Sequence, residues 1–159
     1  MKTPRTTCVR GVFHDINKHA LWIYYVMDQP NRIRLRGIPS QKYSKFVAAL
    51  SAVTSDHPLN PNAKLVGPEN DPTGWVVINR SSYPQSANIS EIVSISPGGG
   101  NKCLKMIIEL ANRYNIRLTL TPKPINHGTL TKPQLIQWYK RNGFIMLDNG
   151  TMMYTPTTD

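Results

Sequence analysis

Cysteine is scarce in this chain, with only Cys8 and Cys103 among 159 residues. They are far apart, form no Cys-x-x-Cys, and the histidines His14, His19, His57 and His127 are scattered. A zinc site needs about four ligands at short local spacings, so no metal is expected. Long apolar runs are missing as well. The longest, Ala20 to Met27, falls short of the roughly 18–20 residues of a membrane span, and no membrane partner is expected. Met1 to Val9 carries charge but no apolar stretch behind it, so it does not read as a signal peptide and a cytoplasmic location is the default. Acidic residues are few, 9 Asp+Glu against 19 Lys+Arg, for a net charge of +10. The 40% hydrophobic share is enough for a core and excludes a wholly disordered basic tail. The length suits a single domain over residues 1–159, and neither an internal repeat nor a low-complexity tract is found.

The charge is unevenly spread. Residues 1–50 hold nine Lys/Arg and two Asp, residues 51–100 two against four acids, and residues 101–159 eight against three. A basic surface steers phosphate-rich partners at long range, although it also serves plain solubility. Ala20 to Met27, rich in β-branched and aromatic residues, predicts a strand, and Asp28 to Asn31 a turn. Arg32-Ile-Arg-Leu-Arg36 alternates with period two, which puts Arg32, Arg34 and Arg36 on one strand face. That face is either an anion-binding ribbon for nucleic-acid phosphates or a sheet edge guarded by charge.

Further along, Pro39 to Thr54 has helical spacing in Tyr43, Phe46, Val47, Leu50 and Val53, with Ser40 as a cap. His57 to Asn62, with two Pro and two Asn, reads as loop, Ala63 to Val66 as a short strand, Gly67 to Gly74 as turn, Trp75 to Ile78 as a buried strand and Arg80 to Ala87 as polar loop. Ile89 to Ile95 predicts a strand, Ser96-Pro-Gly-Gly-Gly100 a sharp loop, Asn101 to Tyr114 a largely buried helix, and Ile116 to Leu120 another strand. This order implies a parallel pair joined by a right-handed crossover. Thr131 and Gln134 have the spacing of a capping box for a helix running to about Asn142, and Gly143 ends it. Asp148-Asn-Gly150 between apolar segments signals a closing hairpin.

Glycines just ahead of a helix let backbone amides approach an anion at the positive end of the helix dipole, and Lys102 adds a cation. The loop lacks the Lys-Ser/Thr of a P-loop, and Cys103 stands where a dinucleotide fingerprint needs a third glycine. Strand, Gly98-x-Gly100 loop, helix from Asn101, strand, and a helix ending in Trp138-Tyr-Lys-Arg-Asn-Gly-Phe144 before a hairpin together resemble the GNAT superfamily of acyl-CoA-dependent N-acyltransferases. The resemblance covers about residues 87–155 and leaves 1–86 as a divergent half that shapes the acceptor site. Ile95 stands where the family usually has Gln or Arg.

The resemblance implies an α/β (α+β) fold: a mixed, mostly antiparallel sheet flanked by helices, with a central parallel strand pair splayed at the cofactor site. It implies acetyl-CoA as cofactor. The amides of Gly98, Gly99, Gly100, Asn101 and Lys102 would hold its pyrophosphate, and the backbone near Val93 and Ile95 would meet the pantetheine arm and polarise the thioester. Tyr139 matches the tyrosine that protonates the leaving thiolate. Glu91, the carboxylate of the strand, is the candidate base, with His127 as the other option. The expected activity is acetyl transfer to a primary amine. The rivals are a tRNA- or nucleic-acid-directed transferase of the same fold and an inactive member that binds a protein or nucleic-acid partner. Pairing through the last strands would make a homodimer.

Overall fold

The structure is a computed structural model and describes residues 40–125 and 130–157. The chain divides into two compact units, Met1–Ile38 and Pro39–Asp159, and every described residue belongs to the second. The strands expected over 20–36, with Arg32, Arg34 and Arg36, lie outside the described residues, as does His127.

In chain order the elements are α1 (Gln41–Ala52), β1 (Ser55–His57), β2 (Asn60–Val66), β3 (Gly74–Arg80), β4 (Ser86–Ser94), α2 (Gly99–Tyr114), β5 (Arg117–Leu120), α3 (Lys132–Arg141), β6 (Ile145–Met146) and β7 (Met152–Tyr154). The strands form one sheet in the order β1-β2-β3-β4-β5-β7-β6. Neighbours run antiparallel except β4 and β5, which are parallel. This is the mixed, largely antiparallel sheet flanked by helices that the sequence predicts.

The local reasons follow the sequence closely. The Ser40 hydroxyl accepts the Tyr43 amide at 3.2 Å and caps α1, satisfying one orphan donor of the first turn. At α3 the Gln134 side chain accepts the Thr131 amide at 2.8 Å. At the other end of α3 the Phe144 amide donates to the Tyr139 carbonyl and the Gly143 amide to the Lys140 carbonyl, with Gly143 at φ +87°. That is the Schellman arrangement, and the Tyr139 and Phe144 rings complete it at 5.5 Å.

Phe46 and Leu50 of α1 join Cys103, Leu104, Ile107 and Leu110 of α2 in one buried cluster with Val76, Ile89, Leu118 and Met152 of the sheet. The core therefore fills one face. A Cβ added at Gly74 would lie 2.7 Å from Cys103 Sγ, which marks the side on which α2 packs. Alternation along β3 then puts Gly74, Val76 and Ile78 toward α2, and Trp75, Val77 and Asn79 away from it.

Three segments differ from expectation. Of residues 57–62 only Pro58 and Leu59 are turn: β1 and β2 form a hairpin there. The His57 ring nitrogen Nδ1 accepts the amides of Leu59 and Asn60, both at 3.2 Å, so a side chain closes the turn that the prolines seemed to forbid. β4 begins at Ser86 rather than Ile89, because its polar first residues pair with β5. α2 begins at Gly99 rather than Asn101, since helix-poor glycines hide its first turn in the sequence.

Two of the loop glycines have structural reasons. Gly98 sits at φ +77°, a conformation glycine adopts without strain. Gly99 packs on the residue just ahead of β3: an added Cβ would stand 1.8 Å from the Thr73 carbonyl oxygen. Gly100 is different, since its nearest neighbours, Ser94 Cβ and the Trp138 ring, lie at 3.8 to 4.0 Å. Gly99→Ala is expected to cost roughly 3 kcal/mol through backbone overpacking, whereas Gly100→Ala should stay within about 1 kcal/mol of the parent. Urea unfolding of the two variants checks this contrast.

Candidate active site

The site begins with an extra residue. Val77 faces Glu91 and Ile78 faces Ile89, so Ser90 has no partner on β3. A bulge of this kind bends its strand and sharpens the local twist. β4 pairs with β5 only through Ser86, Ala87 and Asn88, which face Arg117, Leu118 and Thr119. Beyond Asn88, β4 continues to Ser94 without a β5 partner, and a fork opens between the strands.

Polar side chains pin this point. The Asn79 amide donates to Ser90 Oγ at 2.7 Å, Ser90 Oγ donates to Asn88 Oδ1 at 3.2 Å, and Asn88 Nδ2 reaches Thr119 O and Oγ1 at 3.3 Å. Thr119 Oγ1 in turn donates to the Ala87 carbonyl at 3.4 Å. The chain of bonds runs in one direction across β3, β4 and β5. It holds the bulge on one side of the fork and the end of β5 on the other.

At the tip of β4 the strand enters the helix. Ser94 Oγ accepts the Gly100 amide at 3.2 Å and donates to the Ser96 carbonyl at 2.6 Å. The Gly99 amide donates to the Ser96 carbonyl, and the Ile95 amide to the Thr73 carbonyl. The Ile95 amide is thus engaged within the loop, and its side chain is 54% exposed. Among the described residues the amides of Gly98 and Asn101 meet no acceptor. The first turn of α2 contains no acidic residue, so no carboxylate in that turn offsets the positive end of the dipole. Asn101 and Lys102 are exposed.

The α3 helix brings two aromatics to the same side. Trp138 Nε1 donates to Asn101 Oδ1 at 2.6 Å, tying α3 to the start of α2. Tyr139 packs against Trp138 at 4.7 Å and Phe144 at 5.5 Å, and belongs to the buried cluster. The residue as a whole is 8% exposed. Burial raises its pKa to about 12. The phenol therefore stays protonated through the physiological range and can donate a hydrogen bond throughout it.

No family model matches this chain, and no curated protein matches it. Solved structures do match. An anti-CRISPR protein, AcrVA5, aligns at 15% identity over 59% of this chain and 99% of its own, with a TM-score of 0.47. Nourseothricin acetyltransferase aligns at 19% identity over 64% of this chain and 69% of its own, with a TM-score of 0.42. A GNAT family acetyltransferase from Elizabethkingia anophelis with acetyl-CoA bound aligns at 16% identity, covering 74% and 84%, with a TM-score of 0.44. The similarity is one of fold.

The residues singled out in the sequence fall on two sides of the fork. Glu91 faces Val77 in register and so lies on the sheet face away from α2, exposed. Tyr139, the glycine loop and Lys102 lie on the α2 side. Val93, half-buried, faces Trp75 on β3. Sequence reasoning missed Ser90, Asn88, Asn79 and Thr119. The spacing of Ile89 and Ile92 carried the signal: both sides of a regular strand alternate with period two, and two inward residues three apart require a bulge. Cys103 is fully buried and its thiol is pushed up to about 11 by burial, which makes it a core residue rather than a nucleophile.

The raised Tyr139 value has a consequence for stability. Because the folded chain holds the proton to about 12 and the ordinary value is 10, the unfolded chain releases it first. The associated stability is whole below pH 10 and is lost as pH climbs through 12, a change of about 2 to 3 kcal/mol. Tyr139→Phe should lose correspondingly less stability over that interval, and should remove a phenol that titrates late in the ultraviolet spectrum. Cys103 contributes to both proteins alike, so the difference reports Tyr139.

Proposed function

We propose that the chain is an acyl-CoA-dependent N-acyltransferase that moves an acetyl group from acetyl-CoA to an amine by direct transfer. The fork carries this reading. A bulged β4 leaves its parallel neighbour after Asn88 and runs straight into a glycine-rich helix start, with Tyr139 packed on the same side.

The residues fit a diphosphate. The Gly98 and Asn101 amides have no described acceptor, no acidic side chain sits in the first turn, and Lys102 is at hand. A helix N-terminus with open amides and no neutralising carboxylate attracts phosphate. Ser94 already occupies the Gly100 amide, so Gly98, Asn101 and Lys102 are the groups we assign to the pyrophosphate. Gly100 supports the same reading from another side, because packing does not require a glycine there.

Acetyl-CoA, when bound, supplies a thioester whose carbonyl carbon forms a C–N bond to the amine as the C–S bond breaks, the amine losing a proton and the thiolate gaining one. Tyr139 holds a proton at its hydroxyl for the sulfur side. With its own pKa near 12 against about 8.5 for an ordinary thiol, full transfer from the phenol is uphill. Its contribution is a hydrogen bond that strengthens as negative charge develops. Glu91, on the opposite face, is the carboxylate assigned to collect the amine proton, directly or through water. Acid and base then approach the fork from different sides, which keeps a carboxylate away from a sulfur gathering negative charge.

Calorimetric titration with acetyl-CoA is the test. Binding at micromolar to high micromolar concentration is expected, with a change in tryptophan fluorescence that Trp138→Phe removes. With any acceptor that supports turnover, Tyr139→Phe should lower kcat about 10- to 100-fold and leave KM within about threefold. Absence of acetyl-CoA binding overturns the reading.

A further inference from the structure

On the sheet face away from α2, at the root of the fork, lie two adjoining hollows. The larger is about 320 Å³, with Asn79, Asn88 and Thr121 among its walls. The smaller is about 160 Å³, with Leu147, Met153 and Arg117 among its walls. Tyr83, Thr119, Asn149 and Thr151 line both, so one molecule can span them. Asn88 and Thr119 are the last residues paired across β4 and β5. The hollows therefore meet the fork from the face opposite the helix start.

The two differ in chemistry, and neither presents an uncommitted charge. The larger offers amides and hydroxyls. Arg80 borders it, but Arg80 faces buried Ala87 in register and its charge acts on Tyr43 of α1, so its side chain turns to the α2 side. The smaller is mainly apolar, and the Arg117 guanidinium at its border donates to the Pro84 carbonyl at 3.3 Å. No Asp or Glu occurs among the described lining residues of either hollow. An ionic ligand would lose its hydration here without a matching partner. Neutral polar groups are better served. Among the described residues the hydroxyls of Tyr83, Thr121 and Thr151 and the side-chain nitrogen of Asn149 meet no hydrogen-bond partner. The Tyr83 ring is 57% exposed and offers a face for stacking. The Met153 thioether adds a polarizable contact on the apolar side.

We propose that the two hollows form one site for an uncharged nucleoside, with its base in the smaller hollow against Tyr83 and Met153 and its ribose hydroxyls among the polar groups of the larger. A flat ring of mainly carbon surface suits the apolar side. The edge of a base carries hydrogen-bonding atoms, and the Asn149 amide, which lines both hollows, has two N–H groups to meet them. A polyol alone leaves the apolar hollow unfilled, and a bare hydrocarbon ring leaves the amide and hydroxyls without partners. The ligand class follows from the walls and does not depend on acyl transfer. Where transfer holds, the nucleoside stands on the Glu91 side of the sheet, the side assigned to the amine.

Adenosine, cytidine, their 5′-monophosphates, ribose and phenyl β-glucoside are the probes, each titrated by calorimetry into the full chain with and without saturating coenzyme A. At least one nucleoside should bind at least about tenfold more tightly than ribose and phenyl β-glucoside, and its monophosphate should stay within about threefold of it. Coenzyme A should leave that affinity unchanged, because the helix start lies on the other face. Tyr83 is exposed and its described hydrogen bonds use the backbone alone, so its ring can be altered without disturbing the fold. Tyr83→Ala should weaken the nucleoside at least about fivefold through lost stacking, whereas Tyr83→Phe stays within about twofold. Equal binding of ribose or the glucoside, a monophosphate at least about tenfold tighter than its nucleoside, displacement by coenzyme A, equal behaviour of the two Tyr83 variants, or no nucleoside binding at millimolar concentration overturns the proposal. A failure of acetyl-CoA to bind sinks the transferase reading instead, and leaves the order of the probes and the Tyr83 contrast to be read directly.

Discussion

A single unpaired residue, Ser90, decides the geometry of everything that follows it on β4. In a regular strand Ile89 and Glu91 would share a face, as would Ser90 and Ile92. With Ser90 extruded from the β3 ladder, Glu91 turns outward and Ile92 and Ser94 turn toward α2. A one-residue slip exchanges the two faces of a strand, and here the exchange is confined to the half of β4 beyond the fork. Ser94 can cap the first turn of α2 only because of it. The carboxylate and the helix start end up on different sides for the same reason.

The hydrogen-bonded chain from Asn79 to Thr119 answers the question of what keeps such a strand from straightening. A bulge leaves ladder groups unsatisfied, and the open edge beyond it is a place where a strand could re-pair. Ser90 Oγ is held from both sides, by Asn79 on β3 and Asn88 on its own strand. Asn88 is then tied to β5. Each bond contributes about 1 kcal/mol at most in net terms. Their joint effect is geometric: they fix the place where pairing stops.

Much of this fold was legible because its helices announce themselves. Ser40, the Thr131 and Gln134 pair and Gly143 are local signals, each satisfied within a few residues along the chain, and the structure realises each of them. The hairpin at Asp148-Asn-Gly150 belongs with them, and Leu147 donates its amide across it to Thr151. What was not legible depends on distant partners. Ser86 to Asn88 looks like loop until β5 lies beside it. His57 turns a proline-rich stretch into a hairpin through its ring nitrogen. The polar residues at the fork resemble ordinary surface residues, since Asn88 and Thr119 are 31 positions apart and no spacing rule connects them.

The aromatic end of α3 shows how one motif can carry two meanings. The spacing of Tyr139, Gly143 and Phe144 is what a Schellman end demands: a left-handed glycine, an amide that reaches back to the Tyr139 carbonyl, and an apolar contact between the two rings. That requirement would preserve a bulky residue at 139, and phenylalanine would meet it. The hydroxyl is what the cap leaves unexplained. A buried phenol whose pKa is pushed to about 12 bears a desolvation cost that phenylalanine would avoid. Chemistry at position 139 therefore rests on one oxygen atom, and the helix end that presents it is held by backbone bonds that do not depend on that atom. Removing the hydroxyl separates the two roles, because the cap survives the change and the proton donor does not.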